Sequence, residues 1–264
     1  MRGVRAARLG AEAVAFLAAL LAAPRAEGLW HALFPEVARP TFQQDSWFLL
    51  LGWHLLLSIG ALGLAALIGI PAGILATRKG GRRLRPLLDA VFSLAQGIPP
   101  VAAIALALPL LGFGAAPTLL ALVLYAALPV LRATVSGLDS VPAAALEAAR
   151  GLGFSPWQRL RDVEMPLARP VLLAGMRVAL TLSVATTAVG AVAGARCLGT
   201  PIVTGLANAN PSYVLQGAIF TAWLALLLDR ALSLLGAPAS PSALPSPAEA
   251  TLGADDRGSR AAQP

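Results

Sequence analysis

Charged side chains are absent from three long tracts of this chain, residues 47–77, 90–131 and 197–228. A helix needs roughly 20 apolar residues to cross a bilayer core, so each tract can cross at least once. The first predicts a span over 47–76, with Trp47 and Trp53 suited to the outer interface. The second is too long for one crossing. Gly112, Gly114 and Pro117 divide it into two spans joined by a short external turn. Pro99, Pro100, Pro109 and Pro129 fall within these spans, where freed backbone carbonyls need neighbouring helices or water. Two further spans are expected over 170–195 and 212–228, with 196–211 between them outside.

The polar stretches between the tracts carry the basic residues. Arg78, Lys79, Arg82, Arg83 and Arg85 crowd one connection; Arg132, Arg150, Arg159, Arg161 and Arg169 lie in the next. Such clusters mark the cytoplasmic side, and every connection then alternates correctly. Arg177 lies about two turns into its span and is expected to snorkel back to the interface. At the start, Arg2, Arg5 and Arg8 precede a short apolar run over 13–23, the pattern of a signal peptide or a first span. Pro24 and Arg25 interrupt the small-residue cleavage positions, so a retained segment with a cytoplasmic N-terminus is expected. The reading is an all-α integral membrane protein with five to six transmembrane helices. Residues 1–46 form an N-terminal apolar segment and external linker, and 47–235 the transmembrane domain. Residues 236–264, rich in Pro, Ala and Ser and then charged, are expected to be a disordered cytoplasmic tail.

Composition agrees and excludes other classes. The chain is 57% hydrophobic and 12% charged, about half the charge of a soluble domain. Its net charge of +7 sits in loops and reads as membrane topology, with the lipid bilayer and not nucleic acid as the partner. A single cysteine, Cys197, excludes an internal disulfide, and His31 and His54 are too few and too far apart for a metal site. No paired carboxylates or Ser-His-Asp set point to an enzyme.

The loop between the third and fourth secure spans carries the chemistry. Ser140 and Pro142 look like a helix start, Ala-rich residues follow to Arg150, and Gly151 and Gly153 permit the left-handed turn that ends it. Ser155-Pro156 restarts a helix in which Trp157, Leu160 and Val163 are expected to share a face. Pro166 and Pro170 are expected to close the segment before the next span. Ala148, Ala149 and Gly153 allow close approach, and Glu147 offers a carboxylate at the rim. A docking element for a soluble partner and an amphipathic loop lying on the membrane are both compatible with this pattern.

The spacing Glu147-Ala148-Ala149, three residues, Gly153, nine residues, Val163-x-Met165-Pro166 resembles the EAA loop of ABC importer permeases. Gln96-Gly97-Ile98-Pro99, Pro109-Leu110-Leu111-Gly112-Phe113-Gly114, Leu124-Tyr125-Ala126-Ala127-Leu128-Pro129 and Arg132-x-Thr134-x-x-Gly137-Leu138 resemble the osmoprotectant branch of that family. The resemblance covers about residues 47–235. It implies a type I, MetI-like permease bundle in the bacterial inner membrane, carrying glycine betaine, choline or carnitine. It implies also two cytoplasmic ABC ATPase subunits, a second permease copy or related permease, and an extracytoplasmic solute-binding protein. The implied ATPase-coupling loop spans 139–166, with Glu147, Ala148, Ala149, Gly151, Gly153, Val163, Met165 and Pro166 as contacts. One departure is that Arg196 and Cys197 replace glycines of the family's Gly-Ala-Gly-Gly-Leu-Gly stretch at 194–199. Phe220-Thr221 stands where the family often has proline.

A phosphate-cradling loop needs a lysine followed by Ser or Thr, and the single lysine, Lys79, is followed by Gly80-Gly81. ATP is therefore expected to be used by the partner ATPase, with no cofactor bound by this chain. Ser93, Gln96, Thr186 and Thr187 are polar positions within spans, candidates to line a passage or to hydrogen-bond between helices. Phe92, Phe113 and Tyr125 read as packing residues, which places selectivity mainly in the binding protein. Other cargoes, such as an amino acid or sulfonate, fit the same machinery. An ion-driven secondary transporter fits less well, since such proteins carry ionisable sites near mid-membrane.

Overall fold

The computed structural model describes residues 2–236 and is helical throughout its ordered elements. In chain order these are α1 (Arg2–Ala22), α2 (Glu27–Leu33), α3 (Trp47–Thr77), α4 (Arg85–Gly97), α5 (Pro100–Leu111), α6 (Ala115–Asp139), α7 (Ala143–Gly151), α8 (Pro156–Gln158), α9 (Met165–Val189), α10 (Thr200–Ala207) and α11 (Pro211–Gly236). Five helical segments are long and apolar enough to cross a membrane, and α4 and α5 together are so as a pair bent by 89°, a broken span or a re-entrant loop. Expectations for 237–264 fall outside the described residues.

The break has a local cause. Proline disfavours helical geometry in the residue before it; Ile98 before Pro99 is extended at ψ 125°, and Pro100 opens α5. The turn between α5 and α6 uses Gly112 and Gly114, both at positive φ, as the sequence pattern implies. Helix α6 is the centre of the bundle: α3 and α9 pack on it most extensively and also on each other, and α4 and α5 rest on it as well. Close approach depends on glycine. A methyl group at Gly73 would stand 2.6 Å from the Thr134 side chain, and one at Gly175 2.1 Å from that of Ala133.

The N-terminal segment is more integrated than its sequence implies. Helix α1 lies along α11, where Phe16 packs edge-on against Phe220 and Trp223 and Glu12 pairs with Arg230. The linker after α2 is pinned to the same helix. Ser212 and Gln216 both donate to the Pro40 carbonyl at 2.6 Å, and the Phe42 amide donates to Gln216 at 3.2 Å. Trp47 turns inward: it is buried, edge-on to Phe42 and tilted against Phe220. Phe220 fills this aromatic cluster.

Arg177 donates to both oxygens of Asp229 on α11, at 3.0 and 2.8 Å, so α11 holds its guanidinium. One expectation changes. The two prolines, Pro166 and Pro170, do not close a segment. Helix runs from Pro156 to Ala193 in one piece, because residues Arg159–Glu164 form a π-turn. Its wider coil relieves the clash that Pro166 would otherwise make with the carbonyl four residues earlier.

Candidate functional site

Where the end of α6 meets the start of α9 the chain builds a helical elbow. Helix α7 begins after Pro142, whose backbone is extended. Ser140 does not cap it; its hydroxyl donates to the Gly137 carbonyl at 2.7 Å and finishes α6 instead. Helix α7 ends where Gly153 takes φ 79°, and the amides of Leu152, Gly153 and Phe154 return to Ala148, Arg150 and Ala149. Gly151 is the last helical residue and keeps an ordinary backbone. Ser155 then accepts from the Gln158 amide while Gln158 accepts from the Ser155 amide, a reciprocal cap.

The elbow has two faces. Glu147, Ala148, Gly151, Gly153 and Pro166 are exposed, together with Leu152 and Trp157. Ala149 is buried, and Val163 and Met165 are half-buried. Beneath lies a small apolar cluster of Leu138, Val141, Leu160 and Ala168, with Leu146 and Met165 against it. Trp157 and Leu160 do not share a face: Trp157 is 67% exposed and Leu160 8%. The π-turn changes the residues per turn and rotates them apart.

The residue that sequence reasoning missed is Glu164, the unassigned position between Val163 and Met165. It is 7% exposed, and both its oxygens accept from the Arg78 guanidinium at the end of α3. The signal was present in its spacing, four residues after Leu160 and four before Ala168. The pair ties the elbow to the end of α3.

A second polar group lies along α4 and α6. Arg132 donates to both oxygens of Asp89, at 2.8 and 3.0 Å, and to Ser93 at 3.0 Å. Gln96 donates to the Tyr125 carbonyl at 3.2 Å, and Arg85 pairs with Asp139 at 2.8 Å. Ser93 and Gln96 are half-buried. The structure separates them from Thr186 and Thr187, which are buried elsewhere. Thr187 shares a hydrogen bond with Ser58 at 2.9 Å and donates to the Ser183 carbonyl at 2.7 Å.

At the end of the bundle opposite the elbow, His54 links three elements. The Leu198 amide donates to Nδ1 at 3.2 Å, which leaves Nε2–H to donate to the Val184 carbonyl at 3.0 Å. Cys197 is fully buried, with Sγ 3.2 Å from the Thr187 carbonyl, while Arg196 is exposed. The connection 194–199 thus packs its cysteine inward and turns its arginine outward. Among the described residues no His, Cys, Asp or Glu group is arranged to hold a metal.

Comparison with known proteins bears on this geometry. The family of binding-protein-dependent transport system inner membrane components matches residues 69–237. The osmoprotectant import permease protein OsmY of Salmonella typhimurium is 41% identical, over 71% of this chain and 80% of its own length. The glycine betaine/carnitine/choline transport system permease protein OpuCD of Bacillus subtilis is 40% identical, over 71% and 82%. The choline transport system permease protein OpuBD of Bacillus subtilis is 39% identical, over 72% and 84%. Among solved structures, inward-facing forms of the MetNI methionine ABC transporter superpose with TM-score 0.63 at 23% identity, covering 70% of this chain and 92% of that one. An amino acid ABC transporter with histidines gives 0.58 at 19%, covering 72% and 92%. These two are alike in fold.

Proposed function

The chain belongs to the family of binding-protein-dependent transport system inner membrane components, and we propose that it is the permease subunit of an ATP-driven osmoprotectant importer. Its cargo is a quaternary ammonium solute of the glycine betaine, carnitine or choline class. The observation that carries this is identity near 40% to permeases named for those solutes, over about four fifths of their lengths. The methionine and amino acid transporters share the fold at much lower identity and do not pull the cargo toward amino acids.

In this reading the exposed rim of α7, with Glu147, Ala148, Gly151 and Gly153, seats in a partner ATPase that uses the ATP. Leu152 and Trp157 supply apolar anchors beside it, the kind of exposed large side chain that marks an interface. Ala149, Val163 and Met165 hold the elbow's underside, and Pro166 sits at its junction with α9. Closure of two ATPases would draw two such elbows together, and the unbroken helix from Pro156 would carry the motion into the membrane. Half-exposed ion pairs do not face lipid at low cost. The Asp89–Arg132 pair, with Ser93 and Gln96, therefore faces a second permease and the passage between the two. Thr186 and Thr187 serve the interior of one subunit. A separate external binding protein supplies most of the selectivity, since no aromatic cage for a quaternary amine is formed by Phe92, Phe113 or Tyr125. Phe113 is exposed and Phe92 packs against the core.

The test is uptake by proteoliposomes holding the permease, its ATPase and its binding protein, with labelled glycine betaine and competing choline, carnitine or methionine. Suppression by choline or carnitine and none by methionine is expected. Methionine-sensitive uptake with no effect of choline or carnitine would reassign the cargo.

A further inference from the structure

Beside the elbow lies a cleft of about 370 Å³ that coupling leaves without a role. It opens where the ends of α3 and α6 meet α7 and the π-turn. Its walls carry five cationic side chains and two carboxylates. Both carboxylates are already engaged: Glu164 by Arg78, and Asp139 by Arg85 from outside the cleft. Lys79, Arg82, Arg150 and Arg159 have no carboxylate partner among the described residues.

We propose that this cleft binds a phosphate-bearing anion at the inner membrane surface, either the phosphodiester of an anionic phospholipid headgroup or a free phosphate group. Placing cations on the cytoplasmic side requires only that they lie in loops. Here they come from three separate segments, the α3–α4 connection, α7 and the π-turn, and converge on one cleft. The Nε–H of Arg159 is buried with no acceptor. A desolvated donor left unmade is costly, and an anionic oxygen would satisfy it. Leu138, Val141 and Leu146 give the cleft an apolar wall, suited to a glycerol backbone below a headgroup. The carbonyl ends of α3 and α6 oppose an anion, but full cationic charges outnumber these partial ones. A ligand here would bridge the α3–α4 connection to the elbow alongside the Arg78–Glu164 tie. Anion content at the membrane surface would then set how firmly the elbow is held, whatever the cargo.

The full chain is purified in neutral detergent and titrated with dioctanoyl phosphatidylglycerol, dioctanoyl phosphatidylcholine or inorganic phosphate, with its thermal-unfolding midpoint as the readout. Saturable stabilisation by phosphatidylglycerol and not phosphatidylcholine is expected, and lipid is the source if inorganic phosphate has no effect. Equal saturable stabilisation by inorganic phosphate supports the same site with a soluble source. Lys79→Gln with Arg159→Gln should weaken the apparent affinity by roughly tenfold or more, the scale of one charge-assisted hydrogen bond. Arg161→Gln removes the same kind of charge outside the cleft and should leave affinity unchanged. Lys79 is exposed on its loop, so Lys79→Gln alone carries the test should the double variant fail to fold. The proposal is overturned by an absence of saturable binding, or by equal weakening in Arg161→Gln.

Discussion

Gly153 and Glu147 stand exposed on the rim of the elbow. A Cβ at Gly153 would meet no atom within 4 Å, so a substitution there is opposed only by its φ of 79°, a conformation that Asp tolerates better than most residues. Gly153→Asp and Glu147→Lys are therefore expected to insert and fold normally, yet to co-purify with less ATPase and to lose most uptake. Full uptake with wild-type ATPase recovery would remove the elbow from the mechanism. His54 and Cys197 invite a different test. Burial pushes the Cys197 thiol up to about 11, so at neutral pH almost none of it is thiolate, the reactive form. N-ethylmaleimide should leave the folded chain unmodified by intact mass. His54→Leu removes the acceptor of the buried Leu198 amide and costs about 1–3 kcal/mol. The 194–199 connection should then loosen and Cys197 should label. Rapid labelling of the native chain, or none in His54→Leu, would contradict this.

At the scale of elements, helix contacts rest on absent side chains. Gly175 lies against Ala133 and the Pro129 carbonyl, which a Cβ would approach to 2.1 and 3.0 Å. Gly175→Val should force α9 off α6 and destabilise by about 1–3 kcal/mol, and Ala133→Gly should restore part of that. A lowered thermal midpoint with partial rescue is expected; no rescue would mean that the contact is not where the packing is decided. The spans, the glycine turn at 112–114 and the capped restart at Ser155 were legible in sequence, because each is written in local composition or spacing. What was not legible depended on other elements. The proline pair at Pro99–Pro100 accounts for the break, while the size of its bend, 89°, is not written in that pattern. The partners of Arg78, Arg132 and Arg177 lie 86, 43 and 52 residues away, beyond any local pattern. The π-turn was hidden as well, so a three-residue spacing misled over Trp157 and Leu160. At the elbow, Glu147, Ala148, Gly151, Gly153 and Pro166 are exposed while Ala149, Val163 and Met165 turn inward, a division set by packing, and Glu164, which anchors the elbow, passed as an unassigned letter.

The whole molecule is a multi-pass inner-membrane component with its ion pairs gathered toward one end. Arg78–Glu164, Arg85–Asp139, Arg132–Asp89 and Arg230–Glu12 all lie toward the basic end, and neutral hydrogen bonds around His54 and Gln216 hold the opposite end. As a permease driven in trans, it should respond to nucleotide and not to an ion gradient. The direct measurement is glycine betaine uptake in sealed vesicles carrying the permease, its ATPase and its binding protein. Accumulation against a gradient that requires ATP, and that stops with a hydrolysis-deficient ATPase, is the result expected. Accumulation by vesicles carrying this chain alone, driven by a proton or sodium gradient, would contradict it.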